Sequence, residues 1–293
     1  MNTPYELAKA ILQSTGDKKQ SESENDRFTS IDLYGSAVHE QTANDDICNH
    51  FHLKNESGEG DITLYQVFPG IELVYNDMHM EYCNKNQKPT CDVIEINYCK
   101  EGRSECLFGE HQYCYMAAGD LSFCSLQEQS HQSEFPTAHY HGITVTMNFS
   151  KITGEMKNIL ELLNVDLERI CELSRIREFV IVRANTTIEH IFSELYTVPK
   201  KIRYGYIRVK VLELLLVLTE LDITMTRPER PHFTEAQIKV IKHIHTFLVE
   251  HYQEHYTIDE LSERFEMSPT ILKKCFKGVY GDSIYAYMKR FRL

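Results

Sequence analysis

Apolar and polar positions follow a two-residue period in several short stretches between residues 62 and 149. "ITLYQVF" (62–68), "CDVIEINYC" (91–99), "SECLFG" (104–109) and "GITVTMNF" (142–149) are rich in β-branched and aromatic residues. Each predicts a strand. "KEGR" (100–103) and the glycine of "AAGDLSF" (117–123) supply turns. With Glu101-Gly102 as a two-residue turn, Cys99 is expected opposite Ser104 and Asn97 opposite Cys106. Ile94, Ile96, Tyr98 and Leu107 then share one face. Many short strands joined by turns predict a sandwich or a barrel. Upstream, residues 5–13 read as a short helix, and 14–25 and 54–60 as polar loops.

After residue 150 the period lengthens to that of a helix. "SKITGEMKNILELLN" (150–164) predicts a helix capped by Ser150. The strongest helical stretch, 200–221, follows Pro199. There Ile207, Val211, Leu214, Leu218 and Leu221 are spaced 4, 3, 4 and 3, a short heptad seam. Leu212, Leu215 and Leu216 widen it, so a second copy of the chain and the barrel compete for the stripe. Residues 224–232, with two prolines and no apolar period, read as a linker. Beyond them the chain is helical and punctuated. Thr234 with Gln237, and Thr257 with Glu260, are capping-box patterns. Ser268 with Pro269 starts a third helix, Gly281 ends it and Ser283 starts a fourth. The fold class expected is α+β, an N-terminal β-barrel with dimerisation helices followed by an all-α subdomain. The expected domains are 1–223 (barrel about 60–150, helices about 151–222) and 233–293.

Charge sharpens the division. The chain carries a net charge of −12, yet residues 269–293 hold six Lys and Arg against one acidic residue. A uniformly acidic protein would not coat nucleic acid, so any such binding belongs to the C-terminal end. No apolar run approaches the roughly 20 residues that span a bilayer, and the N-terminus lacks a secretion signal. A cytoplasmic protein with no membrane partner is expected. The nine cysteines are odd in number and fit reduced thiols better than a disulfide framework.

The basic end reads as a helix-turn-helix, "TIDELSERFEMSPTILKKCFKGVYG" (257–281). Ile258, Leu261, Phe265, Leu272 and Phe276 can form its small core, with Met267 in the turn. Thr270, Lys273, Lys274 and Lys277 then face outward, where lysines can reach guanine edges or neutralise phosphates. These four are the candidate DNA-binding residues. An ordinary helical hairpin with a solvated lysine face is the bland alternative.

Residues 257–293 resemble the first helix-turn-helix of the AraC/XylS transcription regulators. The cadence is carried by Leu261, Ser262, Phe265, Ser268, Pro269, Leu272, Phe276, Lys277, Gly281, Ser283, Tyr287 and Arg292. By that resemblance Thr270, Lys273 and Lys274 fall where the family's reading helix touches bases. "INYCKEGRSECLF", "YMAAGDLSF" and "FPTAHYHGITVTMNF" resemble, more weakly, the family's cupin-like sensor barrel. The resemblance implies a regulator that binds double-stranded DNA, a small-molecule effector of unidentified chemistry and a second copy of itself, with RNA polymerase as a further partner and no cofactor. It also implies a second helix-turn-helix of roughly fifty residues that this sequence does not contain. A shortened regulator that acts by dimerising with partners is therefore an alternative reading.

A cupin-class metal enzyme is the other alternative. His139, His141 and the nearby His131 invite it, since imidazoles two apart on a strand share a face. The pair follows the "AAGD" turn, however, where enzymatic cupins place it before, so neither a metal nor an enzyme is expected. Cysteines 83, 91, 99, 106, 114 and 124 recur at a nearly strand-plus-turn period. They read either as small buried residues of a sheet or as a thiol or soft-metal sensor.

Overall fold

A computed structural model describes residues 28–34, 38–45, 48–85, 89, 92–108, 112–127, 132–175, 179–221 and 231–292. The expected helix at 5–13, the loop at 14–25, most of the linker, Cys91 and His131 lie outside the described residues.

Twelve strands are present among the described residues. They are β1 (Val38–Asp45), β2 (Cys48–Asn55), β3 (Gly58–Phe68), β4 (Ile71–His79), β5 (Tyr82–Asn84), β6 (Val93–Phe108), β7 (Gln112–Ala117), β8 (Asp120–Ser125), β9 (Gln132–Glu134), β10 (Tyr140–Asn148), β11 (Phe179–Arg183) and β12 (Phe233–Thr234). The main path runs β1-β2-β3-β4-β10-β6-β7-β12, with β8, β11, β9 and β5 joined through β6. The result is a nearly closed antiparallel barrel with helices, an α+β fold. Strands begin at Val38, ahead of the expected start near residue 60, because "VHEQTAND" and "CNHFHLKN" carry too few apolar residues to mark themselves.

The 100–103 segment is not a hairpin turn. β6 runs through it as one 16-residue strand. Its first half pairs with β10 and β8, its second half with β7. The ladder skips Lys100 opposite the His141/Gly142 step, a bulge that re-aims the strand. Gly102 sits at φ 80°, and a Cβ there would lie 2.0 Å from the His139 carbonyl oxygen. Only glycine fits that contact.

The alternation of each strand separates two apolar clusters. One face closes on itself around Phe51, Leu53, Ile62, Val74, Met78 and Tyr140. Cys83, Cys99, Cys106 and Cys114 belong to that interior. Burial pushes the Cys83 thiol up to about 11 and raises Cys106 well above its ordinary value. These two thiols are protonated packing groups, poor nucleophiles and poor soft-metal ligands.

The other face carries Ile71, Leu73, Ile96, Ile143 and Val145 and is covered by helices α1 (Gly154–Leu162), α2 (Leu167–Arg175), α3 (Thr186–Thr197) and α4 (Arg203–Thr219). α1 is capped by Thr153, which accepts from the Met156 amide, and not by Ser150. The expected seam of α4 is corrected by its packing. Ile207, Val211, Leu214 and Leu218 are at most 1% exposed and Leu221, just past the helix, 7%, all inside this chain's own core. The heptad period was real, but the barrel takes that stripe. A second apolar stripe points out to solvent. Ile202, Val209 and Leu216 are 57%, 61% and 42% exposed, with Leu212 partly buried between them.

Candidate nucleic-acid interface

Four helices follow β12: α5 (Glu235–Glu250), α6 (Ile258–Arg264), α7 (Pro269–Tyr280) and α8 (Ile284–Phe291). Both expected capping boxes form, at Thr234/Gln237 and Thr257/Glu260. Ser283 caps α8 by accepting from Ala286. Ser268 makes no side-chain cap, and Pro269 at the first turn of α7 carries that start. Gly281 ends α7 at φ 86°.

The turn between α6 and α7 is tight. Glu266 takes a left-handed conformation at φ 52°. The Met267 amide donates to Ser262 O at 3.1 Å, and the Ser262 hydroxyl donates back to Met267 O at 2.6 Å. Leu261, Leu272 and Phe276 are fully buried, with Ile258 and Phe265 packed beside them. Cys275 is also buried in this core. The helical pair thus has the small core and sharp turn a helix-turn-helix needs. Thr270, Lys273, Lys274 and Lys277 are all exposed on α7, with Ile271 beside them.

The sequence did not reveal how this subdomain is held. Phe233 and Thr234 pair with Tyr113 and Gln112, so β12 adds a strand to the barrel edge. The Phe233 ring lies against Gly278, where a Cβ would be 2.3 Å from the ring. Arg103 on β6 donates to Val279 O at 2.8 Å and to Gly278 O, near the C-terminal end of α7. A cation there meets the negative end of the helix dipole. Lys242 on α5 donates to Glu134 and lies 3.1 Å from Glu105. Arg103 is 176 residues from Val279 and Lys242 is 108 from Glu134, so no local pattern could have revealed either contact.

Between barrel and subdomain lies a cleft of about 350 Å³, lined among others by Arg103, Tyr115, Phe233, Lys274 and Lys277. Three cations converge on it. Two of the four candidate DNA-binding residues therefore face a space shared with the barrel, while Thr270 and Lys273 are not among its lining residues.

The histidine candidates are partly gathered. His139 and His141 come together with His79, which sequence reasoning missed. The missed signal is a matched pair of triplets. Asp77-Met78-His79 and His139-Tyr140-His141 each alternate polar groups with a core residue. Among the described residues no helix is long and apolar enough to cross a membrane.

No protein-family model matches the chain, and no curated protein does. Among solved structures, the AraC-like transcriptional activator CuxR is 12% identical, covers 83% of this chain and 84% of its own, and superposes with a TM-score of 0.36. An apo ToxT variant from Vibrio cholerae strain SCE256 is 7% identical, over 75% of this chain and 97% of its own, with a TM-score of 0.35. A cupin 2 conserved barrel domain protein from Salinispora arenicola is 13% identical, over 42% of this chain and 90% of its own, with a TM-score of 0.26. These likenesses are too remote to assign the chain to a family.

Proposed function

We propose that this chain is a cytoplasmic, sequence-specific DNA-binding transcription regulator and not an enzyme. The observation that carries the reading is α7. It is the second helix of a tight helical pair, and it presents Thr270, Lys273, Lys274 and Lys277 outward from a largely apolar core. The acidic remainder of the chain disfavours non-specific coating, so binding is confined to this face. An enzymatic cupin would need ligands inside the barrel. Here the interior around Met78 and Tyr140 also holds the buried carboxylates Glu72 and Glu95, but Glu72 is hydrogen-bonded by Ser30 and Thr146 and Glu95 is paired with Lys85, while His79, His139 and His141 lie on the opposite face.

The test is direct. A duplex selected by the full chain from a randomised pool is titrated with wild type and with Lys273→Ala/Lys274→Ala. The variant is expected to bind about tenfold more weakly, with a salt slope reduced by up to about two units if both lysines meet phosphates. Its circular dichroism should be unchanged, because both side chains are exposed. Equal affinity would mean that α7 is not the reading helix.

The cleft supports an anionic effector. Arg103, Lys274 and Lys277 would meet its charge, and Tyr115 and Phe233 its apolar part. An anion there and a DNA phosphate would draw on the same ammonium groups. The two ligands would then weaken each other by equal factors. In such a device the effector works by its differential affinity for docked and undocked arrangements.

The outward stripe of Ile202, Val209, Leu212 and Leu216 supports a homodimer through α4, rotated from the seam first expected. Val209→Glu/Leu216→Glu should shift the chain from dimer to monomer in sedimentation velocity with an unchanged circular dichroism spectrum. Ile207→Glu, by contrast, buries a charge in the core and should unfold the protein. A wild type that sediments as a monomer, or a double variant that remains dimeric, would remove α4 as the contact.

A further inference from the structure

We infer that His79, His139 and His141 form a binding site for a divalent transition-metal ion of the zinc class on the outer face of the barrel. One ring nitrogen from each residue lies within 4.8 Å of the others. The ring centroids are 4.8 to 5.7 Å apart. Three elements contribute, namely the last residue of β4, the approach to β10 and the second residue of β10.

Two carboxylates complete the group. Asp77 accepts from His79 Nε2 at 2.9 Å and from His141 Nε2 with the same oxygen. Glu101 lies 3.6 Å from His139 Nε2 and 3.9 Å from His141 Nδ1. One carboxylate oxygen is thus shared by two imidazoles, with a third imidazole alongside. Three imidazoles and a carboxylate suit zinc, which prefers four ligands of this kind. Tetrahedral zinc would hold nitrogens roughly 3.4 Å apart, from bonds of about 2.1 Å. The closure needed is small. His79, with its side chain 57% exposed, has room to rotate inward.

The backbone beneath is fixed. His141 is laddered to Asp77 on one side and Glu101 on the other. Gly102 presses against the His139 carbonyl. The intervening Met78 and Tyr140 point to the opposite face and belong to the barrel interior. The site is therefore outside the barrel and open to solvent, and distinct from any ligand set within it. It lies two residues along β6 from Arg103, the cation that holds α7. An ion bound there would act on the strand that carries the docking contact.

The experiment uses the full chain, stripped with a chelator and titrated with Co²⁺, which reports coordination by its visible absorption. The expected result is saturable binding of one ion per chain, d–d bands of a four-coordinate nitrogen and oxygen site, no sulfur charge-transfer band, and displacement by Zn²⁺. His139→Ala/His141→Ala should weaken binding at least a hundredfold. His79→Ala, whose side chain is the most exposed of the three, is the variant least able to disturb folding. It should weaken binding at least tenfold. Absence of binding to wild type, a thiolate band in the spectrum, or retained affinity in the His79→Ala protein would overturn the assignment.

Discussion

Lys242→Met should lower the stability of the full chain by about 3 kcal/mol, read as a fall in the urea midpoint. The reason lies in what the lysine separates. Glu105 and Glu134 are direct cross-strand neighbours on β6 and β9, where like charges repel. The Glu105 side chain is only 6% exposed. Burial, then the charge of Glu134, raises its pKa against the pull of Lys242 and Tyr115. Burial also opposes the charge on Lys242, yet the two carboxylates hold its pKa above the ordinary lysine value. Methionine fills the same space and leaves two carboxylates facing each other, one of them buried. The figure is at the low end for a broken buried pair because Lys242 and Glu134 remain 37% and 34% exposed. Adding Glu105→Gln to the methionine variant should recover more than half of the loss, since it removes the stranded charge. A loss below about 1 kcal/mol would place the pair among ordinary surface contacts, and α5 would then owe its docking to Phe233 and Arg103.

What could be read from the sequence divides by the range of the interaction. The capping boxes at Thr234 and Thr257 are contacts three residues long, and both form as read. The small core of α6 and α7 follows helical periodicity and is equally local. The stripe of α4 shows the limit. Its period correctly marks a buried face, but a period does not name the partner, and the barrel took the face expected to meet a second copy. The bend at Gly102 reads in sequence as a hairpin because Glu101-Gly102 has turn chemistry. Its role is fixed only by the close approach of His139, 37 residues away. His79 escaped notice for the same reason. Nothing within β4 points to residue 141, and only the ladder between β4 and β10 brings them together. The docking contacts of Arg103 and Lys242 leave no local trace at all.

The second large effect is expected in acid. His245 on α5 is stacked on Tyr280 of α7 with centroids 4.3 Å apart, and its Nε2 lies 2.7 Å from the hydroxyl of Tyr287 on α8. One ring thus ties together three helices of the subdomain. Burial pushes its pKa down to about 4, from 6.5 in the open chain. The folded state therefore holds the ring neutral, with Nε2 able to accept from the tyrosine hydroxyl. The unfolded state takes up the proton first. Stability from this group is complete above pH 6.5 and falls as pH drops toward 4. By linkage the loss is roughly 2 kcal/mol at pH 5 and approaches roughly 3 kcal/mol below pH 4. His245→Phe keeps the stack and cannot titrate. It should cost about 1 kcal/mol at pH 7 for the lost hydrogen bond, yet be the more stable protein at pH 5. Urea midpoints of the two proteins across this range should therefore cross. Parallel curves would show that the ring is not held neutral, and that acid acts on the subdomain through its carboxylates instead.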